Sequence, residues 1–267
     1  MEKNRIYNMD CVEGLKQVET SSVDLIVTSP PYNIGIDYDS WEDNMPWSKY
    51  LSWCKEWMSE CFRVLKPDGR ICINHYLAFS SRFEEDCQFP LFDFRNIMSD
   101  IGFHVHKIVI WDDMTVKKFT AWGSYLSASA PNILTPLEGI LIAYKDQWKK
   151  IEKGESTIDK ETFVEGVSGV WKLGTTISKT KACFPERLPE MCIRLLSYKG
   201  DTVLDPFSGS GTTCYVAKNL GRDYIGFEIS KNYYQYSIGR LNGNNDVQVL
   251  PTSKDESFEK YEKVNLF

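Results

Sequence analysis

Thr28-Ser29-Pro30-Pro31-Tyr32-Asn33 is the part of this 267-residue chain whose residue types and spacing speak most directly of chemistry. It follows Val23-Asp24-Leu25-Ile26-Val27, an apolar run of the kind that forms a buried parallel strand. The strand should end at Thr28, so the next residues sit on a carboxyl-end loop, where open α/β sheets place their ligands. Two consecutive prolines fix φ, lack backbone N–H groups and hold each preceding residue extended. The loop then offers a hydroxyl (Ser29), stiff carbonyl acceptors and an aromatic face (Tyr32). That set suits a flat ring bearing an amino group, with acceptors for its N–H bonds and a platform for its face. The same hexapeptide also reads as a plain strand terminator with Tyr32 packed beside it.

A second stretch breaks that tie. Thr202-Val203-Leu204-Asp205 is a short buried strand, followed by Pro206-Phe207-Ser208-Gly209-Ser210-Gly211-Thr212-Thr213 and a helix that stops at Gly221. Gly209 and Gly211 let backbone approach a ligand closely, and the helix start at Thr212 offers free N–H groups. Glu228 closes the following strand, Tyr224-Ile225-Gly226-Phe227-Glu228, where an acid can accept both hydroxyls of a ribose. The loop is not G-x-G-x-x-G, and it opens with Asp205, which repels phosphate and attracts a cationic amine. A nucleoside carrying an amino acid, such as S-adenosylmethionine, fits better than a dinucleotide. Its amino group seeks acids and carbonyls, its carboxylate the helix N-terminus, its ribose Glu228.

The elements that must position these loops alternate in the α/β manner. Arg5 to Asp10 predicts a strand ending in an acid, with Asp10 placed to cap a helix over Cys11 to Val18. A polar stretch from Ile34 to Trp47 has no period and reads as a mobile lid. Ser48 to Leu65 is amphipathic, and Lys66-Pro67-Asp68-Gly69 is its stop signal before a strand over 69–75 ending at His75. A helix over Phe92 to Ile101 and strands over Val105–Trp111 and Leu137–Tyr144 follow. Alternation fails over 145–181, which reads as a small appended excursion, and resumes with a helix over Pro185–Leu196. The tail from Asn242 is polar.

Composition limits the classes. Hydrophobic content of 42% and charged content of 25% are ordinary for a folded domain, and no apolar run is long enough to span a bilayer. The eight cysteines form no C-x-x-C pair, which predicts reduced thiols in a cytoplasmic protein and no metal site. The net charge of −6 does not advertise nucleic-acid binding, although distribution over one face matters more than the total.

Taken together, the two loops resemble those of amino-group DNA methyltransferases of the β arrangement, in which the catalytic segment precedes the recognition region and the cofactor segment comes last. Thr28-Ser29-Pro30-Pro31-Tyr32 is similar to the catalytic loop and Asp205 to Thr213 to the cofactor loop. Phe184-Pro185-Glu186-Arg187-Leu188-Pro189 resembles the segment lining the methionine end, and Asn8-Met9-Asp10-Cys11 the strand end that reaches the adenine. Lys181-Ala182-Cys183 departs from the family's usual residues ahead of that segment. The resemblance implies a Rossmann-like methyltransferase fold, a mostly parallel doubly wound sheet. It divides the chain into a catalytic half (1–144), a target-recognition region (145–181), a cofactor half (182–241) and a tail (242–267). It implies S-adenosyl-L-methionine as cofactor, held by Asp10, Thr28, Phe184, Asp205, Pro206, Phe207, Gly209, Gly211, Thr212 and Glu228. Ser29, Pro30, Pro31 and Tyr32 would be catalytic, with Ser29 Oγ and the Pro30 carbonyl on the target amine and the base stacked on Tyr32.

Serine at the first position of the tetrapeptide is associated in the family with the 4-amino group of cytosine, the 6-amino group of adenine being the runner-up. Double-stranded DNA is the implied partner, with Lys117, Lys118, Trp122, Ser124, Lys145 and Lys172 as candidate contacts. The resemblance also leaves room for a homodimer and a cognate restriction endonuclease. Two other readings stay open: an RNA-directed enzyme, and a non-catalytic cofactor-binding protein on the same sheet.

Overall fold

The computed structural model describes residues 1–244 apart from 37, 39, 81–85, 114–122, 132, 134–136 and 175–182. Elements alternate along the chain as β1 (Arg5–Asn8), α1 (Cys11–Lys16), β2 (Val23–Thr28), α2 (Trp47–Val64) and β3 (Leu65–Tyr76). A small hairpin of β4 (Phe79–Ser80) and β5 (Cys87–Gln88) leads to α3 (Pro90–Ile101), β6 (His104–Asp112) and β7 (Glu138–Tyr144). Then come α4 (Lys160–Gly166), β8 (Val170–Lys172), α5 (Arg187–Leu196), β9 (Thr202–Asp205), α6 (Thr212–Asn219), β10 (Asp223–Glu228) and α7 (Lys231–Leu241).

Eight of the strands form one sheet in the order β1-β10-β9-β2-β3-β7-β6-β8. All neighbouring pairs are parallel except those that β7 makes with β3 and β6. Central strand β2 is buried at all six positions, as a strand covered on both faces must be. Alternate residues face opposite layers. Ile26, Ile71 and Ile73 pack against α1, α2 and α3, whereas Leu25, Val27 and Cys72 pack against α5 and α6. Helix α2 holds its place by fully burying Tyr50, Trp57 and Met58, each worth about 1.5–3 kcal/mol of transfer free energy.

The topology decides where a site can form. From β9 the chain runs outward through α6 to β10, and from β2 it runs the other way through α2 to β3. The two adjacent central strands therefore send their carboxyl-end loops to opposite faces, which opens a crevice between them.

Two expectations need correcting. Lys66 to Gly69 does not end one element before the next begins: β3 starts at Leu65, and these residues bulge out of its pairing with β2, where Val23 faces Leu65 but Leu25 faces Arg70. The Pro67 and Gly69 carbonyls accept from the backbone N–H groups of Asp146 and Lys145, so the bulge is a docking point for the chain beyond β7. The 145–181 stretch is also no separate excursion in its described residues, since α4 packs on α5 and β8 extends the sheet beside β6. Among the described residues no helix is long and apolar enough to cross a membrane.

Candidate active site

The crevice is a cleft of about 920 Å³ with open solvent included, within the range of small-molecule sites. Ser29 and Pro31 form one wall, and Asp205, Phe207, Gly209 and Glu228 the facing one. Asp10, Phe184, Pro206 and Thr212 also line it. The two stretches singled out in the sequence thus share a single cavity.

At its floor Thr28 Oγ1 donates to Asp205 Oδ1 at 2.7 Å, tying the ends of β2 and β9 together. Phe207 N donates to the same oxygen at 3.1 Å. Burial raises the Asp205 carboxyl to about 6 even though these bonds favour its charge. Thr28, expected as a direct cofactor contact, is 1% exposed and absent from the cleft wall, so its part is to hold Asp205. Gly211 is likewise behind the wall. It caps α6 in the left-handed region at φ 76°, where a β-carbon would lie 2.9 Å from Ser237 Cβ. Asp10 does both things proposed for it, since its Oδ1 caps α1 through Val12 N at 2.8 Å while the residue lines the cleft.

On the β10 side Glu228 is 8% exposed. Its Oε2 accepts from Gly209 N at 2.7 Å and its Oε1 from Ser230 N at 2.8 Å. An acid held this way fixes both the glycine loop and the start of α7. Cys183 Sγ lies 3.1 Å from Ser210 Oγ and 3.2 Å from Thr212 Oγ1, so the residues ahead of Phe184 do reach the α6 start. Acids at two ends, a helix N-terminus and aromatic walls (Phe207, Tyr38, Trp53) match the donors, acceptors and rings of S-adenosylmethionine.

The loop after Tyr32 is more ordered than a lid without period would be. Asp43 is 3% exposed, and its carboxylate accepts from the N–H groups of Asn33, Ile34 and Ile36 at 2.7, 3.1 and 3.0 Å. Asn33 sits at φ 57° and exchanges two side-chain bonds with the Met45 backbone. Burial raises Asp43 to about 6 against those bonds. The loop so held carries Tyr38 and Trp41 to the cleft, Trp41 resting on Trp53 at a centroid distance of 4.5 Å.

Tyr32 differs most from expectation. It is 6% exposed, with one face on the His75 ring at 4.2 Å and the Tyr76 ring edge-on at 5.0 Å, so it presents no open platform. Its hydroxyl accepts from Ser29 Oγ at 3.0 Å and Asn74 Nδ2 at 2.7 Å and donates to Glu138 Oε2 at 2.7 Å. Pro30 is buried, and the Pro31 carbonyl, expected to be without a competing donor, accepts from Tyr50 Oη at 2.6 Å.

Sequence reading missed Asn74, Tyr76, Glu138 and Tyr50, and gave His75 only a structural part. Antiparallel β7 brings Glu138 opposite Tyr76, at the same rim. The available signal was the polar trio Asn74-His75-Tyr76 closing an apolar strand; nothing marked Glu138. His75 is fully buried, which pushes it down to about 3 and keeps it neutral.

Of the six candidate DNA contacts, Lys117, Lys118 and Trp122 lie outside the described residues. Lys172 is exposed and pairs in register with Asp112, at the rim of the sheet that holds the cleft. Ser124 is bound into its own turn through Ser127 O and Ala130 N. Lys145 follows Tyr144, which pairs with Arg70 at the opposite end of the sheet. There Lys145 Nζ donates to the Leu65 carbonyl at 2.9 Å and covers Phe62, which removes it from the DNA-contact set.

Comparison with known proteins agrees with this geometry. The family described as "DNA methylase" matches residues 23–239. Type II methyltransferase M.MjaVI of Methanocaldococcus jannaschii is 44% identical over 151 residues, covering 56% of this chain and 76% of that one. Type II methyltransferase M.HpaI of Haemophilus parainfluenzae is 30% identical over 251 residues, 89% of this chain and 74% of that one. Among solved structures, the DNA modification methylase TTHA0409 of Thermus thermophilus, complexed with S-adenosyl-L-methionine, superposes with a TM-score of 0.71 at 29% identity. That match covers 91% of this chain and 94% of the other. The chain therefore belongs to the DNA methylase family of S-adenosylmethionine-dependent amino-group methyltransferases.

Proposed function

We propose that this protein transfers a methyl group from S-adenosyl-L-methionine to the 4-amino group of a cytosine flipped out of duplex DNA, as the modification enzyme of a restriction-modification system. The observation that carries the reading is the single cleft walled by Ser29 on one side and Asp205, Gly209 and Glu228 on the other. When bound there, the cofactor supplies an electrophilic methyl group. Asp205 and the N-terminus of α6 would hold its amino-acid end, and Glu228 its ribose. Ser29 would accept a hydrogen bond from the target amine. Its own O–H is directed to Tyr32, which leaves its lone pairs for that task.

Catalysis of this kind rests on positioning and preorganised acceptors. A stacked base cannot present its amine to this wall, so flipping, at a few kcal/mol, is part of the reading. Stacking on Tyr32 is not, because His75 and Tyr76 already cover that ring. Exposed Lys172 on the same rim supports an approach of the phosphate backbone from that side. Serine at position 29 favours cytosine through the family resemblance, and adenine N6 is the second reading. Incubation with plasmid DNA and labelled cofactor, followed by nucleoside mass spectrometry, tests this. N4-methylcytosine supports the proposal, N6-methyladenine supports the second reading, and transfer to RNA alone or to neither refutes both.

A further inference from the structure

Methyl transfer to an amine leaves a proton to be disposed of, and Ser29 cannot keep it. Behind Ser29 the structure holds an unbroken hydrogen-bond chain: Ser29 Oγ to Tyr32 Oη at 3.0 Å, then Tyr32 Oη to Glu138 Oε2 at 2.7 Å. We propose that Glu138 is the terminal proton acceptor of the reaction, a positioning residue that acts through Tyr32 and Ser29 and never touches the base. The inference rests on the amino-methyltransferase reading above.

The step balances. The lone pair of the exocyclic nitrogen forms the new N–C bond while the C–S bond breaks and its pair goes to sulfur. The nitrogen, now cationic, gives one proton to Ser29 Oγ. Ser29 passes its own proton to Tyr32 Oη, and Tyr32 passes its proton to Glu138 Oε2. A neutral methylamino base and a neutral carboxylic acid remain, and the acid returns its proton to solvent before the next cycle.

Two further features support this direction. Asn74 Nδ2 donates both to Tyr32 Oη and to Glu138 Oε2, at 2.7 and 2.6 Å, while its buried Oδ1 has no partner. Turning the amide round would set Oδ1 against the carboxylate, so the orphaned oxygen is the cost of stabilising a negative charge at Glu138. The other titratable groups around the chain do not compete for the proton. His75 under the Tyr32 ring is held neutral by burial, and Tyr76 is pushed up to about 12 by burial and by the charges of Glu138 and Asp113. Tyr32 itself is raised, first by burial and then by Glu138, so it stays a phenol able to donate. Tyr50 is likewise raised by burial and is already bonded to the Pro31 carbonyl.

The test is single-turnover methyl transfer to plasmid DNA by the full-length protein, its Glu138→Gln and Tyr32→Phe variants and the double variant, from pH 6 to 9. Each single variant should slow transfer at least about tenfold at pH 7, the low end for general acid–base steps. The double variant should be no slower than the worse single one, because both cut the same path. Cofactor affinity by calorimetry should stay within about twofold, and rising pH should restore the Gln variant as hydroxide takes over the proton. Glu138→Gln within about twofold of wild type at every pH overturns the inference, as do losses that multiply in the double variant. Wild-type protein that transfers no methyl group to DNA removes the underlying reading, whereas active wild type with equally active variants removes this one alone.

Discussion

Thr28→Val removes one hydroxyl and nothing else, and its effect can be worked through from the floor of the cleft. Thr28 Oγ1 is a donor to the ionised form of Asp205, at 2.7 Å and buried. A hydrogen bond to a charged group contributes about 1.5–3 kcal/mol, and 1.36 kcal/mol moves a midpoint by one pH unit. With the donor gone, Asp205 should titrate not at about 6 but at about 7–8. The sign is set by the cofactor, whose ammonium group seeks the carboxylate and not the acid. At pH 7 the ionised fraction then falls from about nine-tenths to between roughly one-half and one-twentieth. Affinity for S-adenosylmethionine should fall about two- to fifteenfold at pH 7 and return near pH 9. Titration calorimetry of both proteins between pH 5.5 and 9 measures this. Equal affinities at pH 7 with one common acid midpoint would refute the role given to Asp205, because the variant would have changed its only side-chain donor from β2 without consequence.

Two further outcomes concern the frame around the site. Lys150→Met should destabilise the fold by about 3–5 kcal/mol, since Lys150 is buried between Asp24, Asp68 and Asp201 at 3.3, 3.7 and 3.6 Å. Urea unfolding measures it, and a loss under about 1 kcal/mol would show the cluster to be already screened. Asp43 titrates at about 6 in the fold against an ordinary 3.8, so its contribution to stability is present below about pH 4 and is lost as pH rises through 6. Relative to Asp43→Asn, wild type should therefore lose up to about 3 kcal/mol between pH 4 and 8. Parallel stability curves for the two proteins would contradict that.

Much of the site was legible because a strand end is a local feature. A buried run followed by Ser-Pro-Pro-Tyr, and another followed by Asp and a glycine loop, announce ligand-facing loops wherever the strands come to lie. That the two strands are neighbours was not local: the pairing of Leu25 with Val203 and Ile26 with Leu204 joins residues far apart in the chain. Tyr32 shows the limit more sharply. Its type and place suggest an exposed ring, and only the convergence of His75 and Tyr76 from β3 with Glu138 from β7 turns it inward. Lys145 was misplaced for the same reason. An antiparallel strand reverses which end of the sheet a residue reaches, and a lone lysine carries no mark of that reversal. Asp43 escaped notice because an acid that accepts from backbone N–H groups leaves no periodic trace.

The central claim is that Ser29 presents its oxygen to the target amine from the wall facing the cofactor loop. Single-turnover methyl transfer by Ser29→Ala, with cofactor affinity measured on the same preparation, tests it most directly. The account predicts that transfer to DNA falls by at least about two orders of magnitude, within the range for an essential preorganised hydrogen-bonding group, while S-adenosylmethionine binds as in wild type. Near-full turnover with intact cofactor binding would contradict it.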